Sequence, residues 1–122
     1  MSEKKGLYID GNWLYKDEIY PLHSPYSGEL IAEISVADET DVKQAIEGAH
    51  QAFLRFREFS SHDRANILFR AVELLKEKKD ELAEILVKET GKPIRLARGE
   101  IDRTIVTYQF AAEEARRLYG ET

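Results

Sequence analysis

The stretch ETGKPIRLARGEIDRT, residues 89–104, lies between two segments with helical periodicity and decides how the chain turns. Glycine is the residue type that most often ends a helix in a left-handed conformation, and Gly91 stands where the first segment stops. Pro93 is suited to the first turn of the next helix. A phosphate-binding loop would need a glycine five residues before Gly91 and a Ser or Thr after Lys92, but Leu86 and Pro93 occupy those positions. The stretch therefore predicts a corner between two helices.

Helical patterns extend on both sides of this corner. The C-terminal side predicts one long amphipathic helix from near Pro93 to Gly120, because apolar residues recur there at intervals of three and four. These residues are Ile94, Ala97, Ile101, Ile105, Tyr108, Ala112 and Ala115. On the N-terminal side, Ser60 or Ser61 caps a helical segment that ends at Gly91, and a charged step at 78–80 leaves open whether it is one helix or two.

A further helix is predicted over residues 39–58. Asp38 is a suitable N-cap residue, acidic Asp41 follows three residues later, and an apolar stripe begins at Val42. The chain is thus expected to contain three or four amphipathic helices.

Residues 1–37 carry signals of β structure. Asp10-Gly11 lies between short runs of β-branched and aromatic residues in segment 7–15, which predicts a two-residue hairpin turn with Gly11 at positive φ. The turn-forming PYSGE, residues 25–29, separates two extended stretches and predicts a second hairpin. Two β-hairpins over 1–37 followed by helices over 38–122 predict an α+β fold.

Composition narrows the functional classes. The chain has 122 residues, 43% apolar and 34% charged, which is enough apolar content for a folded core. Its net charge of −5 comes from interspersed charges, so no nucleic-acid partner is expected. No apolar run approaches the ~20 residues that span a bilayer, and no secretory signal precedes the fold. We therefore expect a cytoplasmic protein without a membrane partner.

The residues that usually carry chemistry are sparse. With no cysteine, the chain lacks a thiol nucleophile and thiolate metal ligands. The histidines at 23, 50 and 62 lack metal-ligand spacing, and Glu100 and Asp102 lie two residues apart, which places them on different sides of a helix as solvated charges. No G-x-G-x-x-G fingerprint occurs. We predict no catalytic, cofactor-binding or metal-binding residue in this chain.

Arginines at 95, 98 and 103 are the remaining candidates. Arg95 and Arg98 share one side of the predicted helix, whereas Arg103 is offset from them. Two alternatives stay open for Arg103: contact with an anion, or a surface or interhelical salt bridge.

Five segments in fixed order resemble the N-terminal part of aldehyde dehydrogenases, and together they cover essentially the whole chain. They are LYIDGNW (7–13), SPYSGELIAEISVADETDVKQAIEGAHQAF (24–53), DRANILFRAVELLKEKKDELAEILVKETGKPI (63–94), ARGEIDRT (97–104) and AAEEARRLYGE (111–121). Each is ordinary alone, but the order and spacing are specific. The detailed pattern is most similar to the lactaldehyde and non-phosphorylating glyceraldehyde-3-phosphate dehydrogenase groups.

The resemblance implies a larger α/β enzyme that oxidises an aldehyde to an acid with NAD or NADP through a thioester. It implies that residues 38–122 are the helical part of the cofactor-binding domain, and that the catalytic domain, with its cysteine and glutamate, is absent. The chain alone is then an inactive fragment without a cofactor, whose partners are the remainder of the dehydrogenase and other copies in a homo-oligomer. The resemblance also implies that Arg103 lies at the mouth of the substrate tunnel and favours anionic substrates. The rival hypothesis is a free-standing helical binding or assembly module without catalysis.

Overall fold

The computed structural model describes residues 3–120, and these form an α+β structure in which short strands precede helices. The strands are β1 (Glu3–Lys5), β2 (Leu7–Ile9), β3 (Asn12–Leu14), β4 (Ile19–His23) and β5 (Leu30–Ser35). The helices are α1 (Glu39–Phe56), α2 (Ser61–Glu77), α3 (Lys79–Thr90) and α4 (Ile94–Ala115). The chain divides into two compact units, one up to Glu58 and one from Phe59 onward. The predicted fold class is confirmed, with four helices.

The first hairpin forms as predicted. β2 and β3 pair antiparallel with Ile9 opposite Asn12, so Asp10 and Gly11 are the two turn residues. Both have positive φ, 49° at Asp10 and 78° at Gly11, as a tight two-residue hairpin turn requires. Asp is one of the few non-glycine residues that tolerates this region, which explains the Asp-Gly pair.

The second hairpin is also confirmed, but its sheet contains one strand more than the sequence predicts. β4 pairs antiparallel with β5 around a turn in which Gly28 has φ of 75°. The additional strand β1 pairs parallel to β5, which places β5 at the centre of a three-stranded sheet. β1 has the sequence EKK, which contains no apolar residue, and all three positions are exposed. Its pairing therefore depends on backbone hydrogen bonds to a distant strand.

Helix α1 begins with a reciprocal capping box. The Asp38 carboxylate accepts a hydrogen bond from the Asp41 backbone N–H, and the Asp41 carboxylate accepts one from the Asp38 backbone N–H, each at 2.9 Å. Two backbone donors at the helix start are thereby satisfied. The helix ends at Phe56, two residues before the predicted end.

The corner predicted at Gly91 is present. Gly91 ends α3 in the left-handed conformation with φ of 71° and donates its N–H to the Val87 carbonyl. Upstream, Ser60 caps α2 by accepting from the Asp63 N–H. The charged step does break the segment: Lys78, with φ of −99° and ψ of 12°, separates α2 from α3.

Helix α4 is shorter than predicted. It begins at Ile94, with Pro93 as its N-cap in an extended conformation, but it ends at Ala115 and not at Gly120. The predicted extension is therefore wrong. The helix thus ends at the last residue of its apolar series, and Leu118 and Tyr119 beyond it are 67% and 90% exposed.

The core of the second unit is built largely from alanine. Ala65, Ala83, Ala97 and Ala112 have no exposed surface, and α4 carries two of them where it packs against α2 and α3. Small side chains allow close approach of helices, but they contribute little apolar area each. Within residues 3–120 no large side chain is completely buried. In the same range, no helix is long and apolar enough to cross a membrane.

Candidate functional site on helix α4

Helix α4 has a buried side and an exposed side. Arg103 lies on the exposed side. Ile105 and Ala112 are buried on the side that packs in the helical unit. At about 100° per residue, Arg103 is turned well away from both. Arg103 is exposed, which is the first requirement for a residue that contacts a ligand.

The surroundings of Arg103 on α4 are apolar. Leu96 lies two turns before it, Val106 one turn after it and Phe110 two turns after it, and the three are 53%, 49% and 63% exposed. A Cβ added to Gly99, one turn before Arg103, would meet no atom within 4 Å, so this side of the helix is open. We call these four residues together with Arg103 the open face of α4.

A shallow depression of about 170 Å³ continues the open face towards the end of the helix. It is lined by Val106, Gln109, Phe110 and Glu113. A guanidinium beside exposed apolar side chains can bind a small organic anion, because the charge selects the anion and the apolar surface accommodates the carbon chain.

Neighbouring charges on α4 are already paired, unlike Arg103. Lys79 Nζ lies 2.6 Å from Asp102 Oδ1, and Lys92 Nζ lies 2.6 Å from Glu100 Oε1. Glu100 and Asp102 are therefore each paired with a lysine, although their side chains remain 38% and 57% exposed, as expected for solvated charges. Their partners are two different lysines, as expected for side chains on different sides of a helix.

The arginines at 95, 98 and 103 also differ in whether they form ion pairs. Arg98 Nε lies 3.3 Å from Asp80 Oδ1, so it forms one of the ion pairs between α3 and α4. Within residues 3–120, neither the Arg95 nor the Arg103 side chain has a hydrogen-bond or ion-pair partner. The salt-bridge alternative for Arg103 is thus not seen in the described part of the chain.

A second polar cluster lies in the first unit and centres on Lys16. Its ammonium lies 2.8 Å from Asp38 Oδ2 and 2.9 Å from Asp41 Oδ2, the two carboxylates of the α1 capping box. The Lys16 backbone N–H donates to Ser35 Oγ at 3.1 Å. A cleft of about 270 Å³ adjoins this cluster and is lined by Lys4, Tyr15, Lys16, Asp17, Ile19, Glu33 and Ser35.

The ion pairs of the Lys16 cluster predict how its contribution to stability depends on pH. The hydrogen bond from Lys16, together with the Asp41 backbone N–H, lowers the pKa of Asp38 from 3.8 to about 2. A lowered folded-state pKa means that the stabilising contribution is complete above pH 3.8 and is lost as pH falls towards 2. The hydrogen bonds to Asp38 and Asp41 raise the pKa of Lys16, so its contribution persists below 10.5 and is lost only above the raised pKa.

We expect the carboxyl carbon of Asp38 to titrate near pH 2 in a ¹³C NMR experiment, and Lys16→Met to move that titration upward towards 3.8. Lys43→Met is a suitable control, because Lys43 pairs with Glu39 on the exposed surface of the same helix. A titration that Lys16→Met leaves unchanged would show that the ammonium does not cause the shift.

The three histidines occupy separate places. His23 Nδ1 lies 3.1 Å from the Gly28 carbonyl oxygen, and His62 Nε2 lies 3.0 Å from Asn66 Nδ2. His50 is exposed on α1. In the range that the structure describes, no three His, Cys, Asp or Glu residues are grouped to hold a metal ion.

Two features were not predicted from the sequence. A signal for the open face of α4 is present, because Leu96, Val106 and Phe110 form a second apolar series around Arg103 at helical spacing. The Lys16 cluster had no such signal, because 22 and 25 residues separate Lys16 from its two carboxylates. Only the tertiary structure brings them together.

Comparisons with known proteins agree with the fold. The model of the aldehyde dehydrogenase family matches residues 13–122. A 3-sulfolactaldehyde dehydrogenase of Priestia aryabhattai is 41% identical over 116 residues, which are 95% of this chain and 24% of that enzyme. A D-glyceraldehyde dehydrogenase (NADP(+)) of Thermoplasma acidophilum is 38% identical over 117 residues, covering 94% of this chain and 24% of that protein.

A solved structure extends the agreement to three dimensions. The crystal structure of aldehyde dehydrogenase 21 from Physcomitrella patens, in complex with the reaction product succinate, superposes with a TM-score of 0.94 and 33% identity. The match covers 99% of this chain and 25% of that one. The chain thus spans about a quarter of the length of the relatives it matches. Because the family model covers nearly all its residues, the chain belongs to the aldehyde dehydrogenase family.

Proposed function

We propose that this chain forms part of an NAD(P)-dependent aldehyde dehydrogenase that oxidises a short aldehyde bearing an anionic group. In this proposal residues 38–122 belong to the helical part of the cofactor-binding domain, and the open face of α4 borders the substrate tunnel. Arg103 attracts and orients the anionic end of the substrate there.

The observation that carries the proposal is the state of Arg103. It is exposed, it has no ion-pair partner within residues 3–120, and apolar residues surround it on the helix. Arg98, by contrast, lies against Asp80 in an ion pair between α3 and α4. An unpaired guanidinium beside exposed Val106 and Phe110 is instead suited to a ligand with one anionic and one carbon end.

The names of the relatives support an anionic or hydroxylated substrate. The Priestia enzyme acts on 3-sulfolactaldehyde, which carries a sulfonate, and the moss structure contains succinate, which carries two carboxylates. The Thermoplasma enzyme acts on D-glyceraldehyde, a neutral hydroxyaldehyde. Lactaldehyde-like and glyceraldehyde-3-phosphate-like substrates share the short, oxygen-rich chain of these compounds, and we place the substrate in this class.

The proposal assigns the nucleophile and the cofactor contacts to other parts of the enzyme. This chain has no cysteine and no G-x-G-x-x-G fingerprint, so we assign the nucleophile and the cofactor contacts to residues outside it. NAD or NADP would accept the hydride from the aldehyde carbon. The contribution assigned to this chain is to bind and orient the substrate anion. We further propose a homo-oligomeric, cytoplasmic enzyme.

The test is Arg103→Ala in the complete dehydrogenase. We expect kcat/KM for an anionic aldehyde to fall roughly 10- to 100-fold, because a hydrogen bond to a charged group is lost. For a neutral aldehyde of the same length we expect a change of less than about threefold, since no charged partner is lost. Steady-state assays of cofactor reduction measure both.

Arg95→Ala is the matched control, since Arg95 is also exposed on α4 without a described partner but lies two turns away. It should leave the ratio of the two kcat/KM values unchanged. Equal losses for the anionic and neutral aldehydes in the Arg103 variant would contradict a role in anion selection.

A further inference from the structure

Glu100 lies about one turn before Arg103 on helix α4. Residues three positions apart on a helix are neighbours, with Cβ atoms about 5–6 Å apart, and an acidic residue before a basic one is the favourable order for an ion pair. Long side chains on a helix also lean towards its N-terminus, which is the direction from Arg103 to Glu100. Position on the helix alone therefore predicts an ion pair between Glu100 and Arg103.

The structure shows a different partner for Glu100. Lys92 Nζ lies 2.6 Å from Glu100 Oε1, whereas the Arg103 side chain has no ion-pair partner within residues 3–120. The Lys92 and Glu100 side chains are only 27% and 38% exposed, so water and salt screen this pair less than the fully exposed pairs of the molecule. Lys92 therefore holds the carboxylate that Arg103 would otherwise contact.

The corner between α3 and α4 makes this contact possible. Lys92 stands between Gly91, which ends α3 in the left-handed conformation, and Pro93, the N-cap of α4. Eight positions separate Lys92 from Glu100, so the pair is not one of the usual contacts between residues three or four apart on one helix. The corner thus supplies a cation to Glu100 from outside the helix that carries Arg103.

We propose that Lys92 is a positioning residue for the anion site: it holds the Glu100 carboxylate away from Arg103, so that the guanidinium stays available for the substrate anion. This inference rests on the proposed function of Arg103. A carboxylate against the guanidinium would occupy the N–H groups that bind the anion, and its negative charge would repel the substrate.

Lys92→Met in the complete dehydrogenase tests the proposal. The released Glu100 carboxylate should pair with Arg103, and kcat/KM for an anionic aldehyde should fall roughly two- to fivefold through a higher KM, as expected for competition by one partly exposed ion pair. For a neutral aldehyde of the same length kcat/KM should stay the same. Adding Glu100→Gln to Lys92→Met should restore the preference for the anionic aldehyde. Lys92→Arg keeps the cation and should preserve that preference.

The reaction of Arg103 with phenylglyoxal, which modifies accessible guanidinium groups, provides a readout without substrate. Peptide mass spectrometry should show slower modification of Arg103 in Lys92→Met and the original rate once Glu100→Gln is added. Lys79→Met is the matched control, because it removes a lysine that pairs with Asp102 of α4. Asp102 adjoins Arg103 in sequence but points to another side of the helix, so Lys79→Met should leave the modification rate unchanged.

Two results would contradict the role of Lys92: a modification rate of Arg103 that Lys92→Met leaves unchanged, or one that Lys79→Met lowers equally. Slower modification without any change in the preference for the anionic aldehyde would have a different meaning. Glu100 would then reach Arg103, but Arg103 would not bind the substrate. That result would overturn the proposed function and would support the effect of Lys92 on Glu100, so the two failures are distinguishable.

Discussion

Ile105→Ala is expected to lower the free energy of unfolding of the helical unit by about 2–4 kcal/mol. Ile105 is 7% exposed and is among the few large apolar residues on the inward side of α4, where alanines occupy most other buried positions. Removing three carbon atoms from this nearly buried position leaves a cavity that the close-packed surroundings fill only in part. A loss of this size is a large part of the stability of a small unit.

Urea unfolding followed by the amide signals of α2 and α4 measures this effect separately from the first unit. Val106→Ala is the control, because Val106 is adjacent in sequence but 49% exposed on the open face. Its expected cost is within about 0.5–1 kcal/mol. If both variants lose the same free energy, the inward side of α4 does not form the core that stabilises the unit.

Local chemistry made several elements predictable from sequence. Asp10-Gly11 specifies a hairpin turn, Asp38 and Asp41 specify a capping box, and Gly91 specifies a left-handed helix end. In each case the residues that determine the structure lie within a few positions of each other. Such signals require no knowledge of the tertiary fold.

Elements that depend on distant contacts were not predictable in this way. Strand β1 is stabilised by parallel pairing with β5, almost thirty residues away, and its own sequence shows only charge. The ion pair between Lys16 and Asp41 joins residues 25 positions apart, and no local pattern in α1 indicates it.

The candidate site also combines features that the local sequence predicts with features that depend on distant contacts. Placing Arg103 on a helix follows from periodicity, and its assignment to a substrate tunnel follows from the family resemblance. The sequence does not show which charged residues near Arg103 form ion pairs with α3. These pairs, Lys79–Asp102 and Arg98–Asp80, join residues from different helices. These pairs leave Arg103 as an unpaired cation beside exposed apolar residues, which is the feature on which the proposed anion contact rests.

Self-association of the isolated 122-residue chain is the second large expected effect. Ile46 and Phe53 on α1, and Val106 and Phe110 on α4, are each about half exposed or more. Leaving a large apolar side chain in water forgoes roughly 1.5–3 kcal/mol of burial, and contiguous exposed apolar surfaces mark sites of association. We expect sedimentation at micromolar concentration to show species heavier than the 14.1 kDa monomer, together with enhanced fluorescence of a hydrophobic dye.

Paired substitutions identify the surface responsible. Phe53→Asp combined with Phe110→Asp should restore a monomer and abolish the dye signal, because both apolar helix faces then carry a charge. Tyr26→Asp is the control: Tyr26 is 88% exposed, but it stands in the β4–β5 turn, outside both helix faces, so association should persist. A dye-negative monomer without any substitution would mean that the exposed faces require no cover. That result would favour the free-standing helical module over a segment whose faces are completed by the rest of a dehydrogenase.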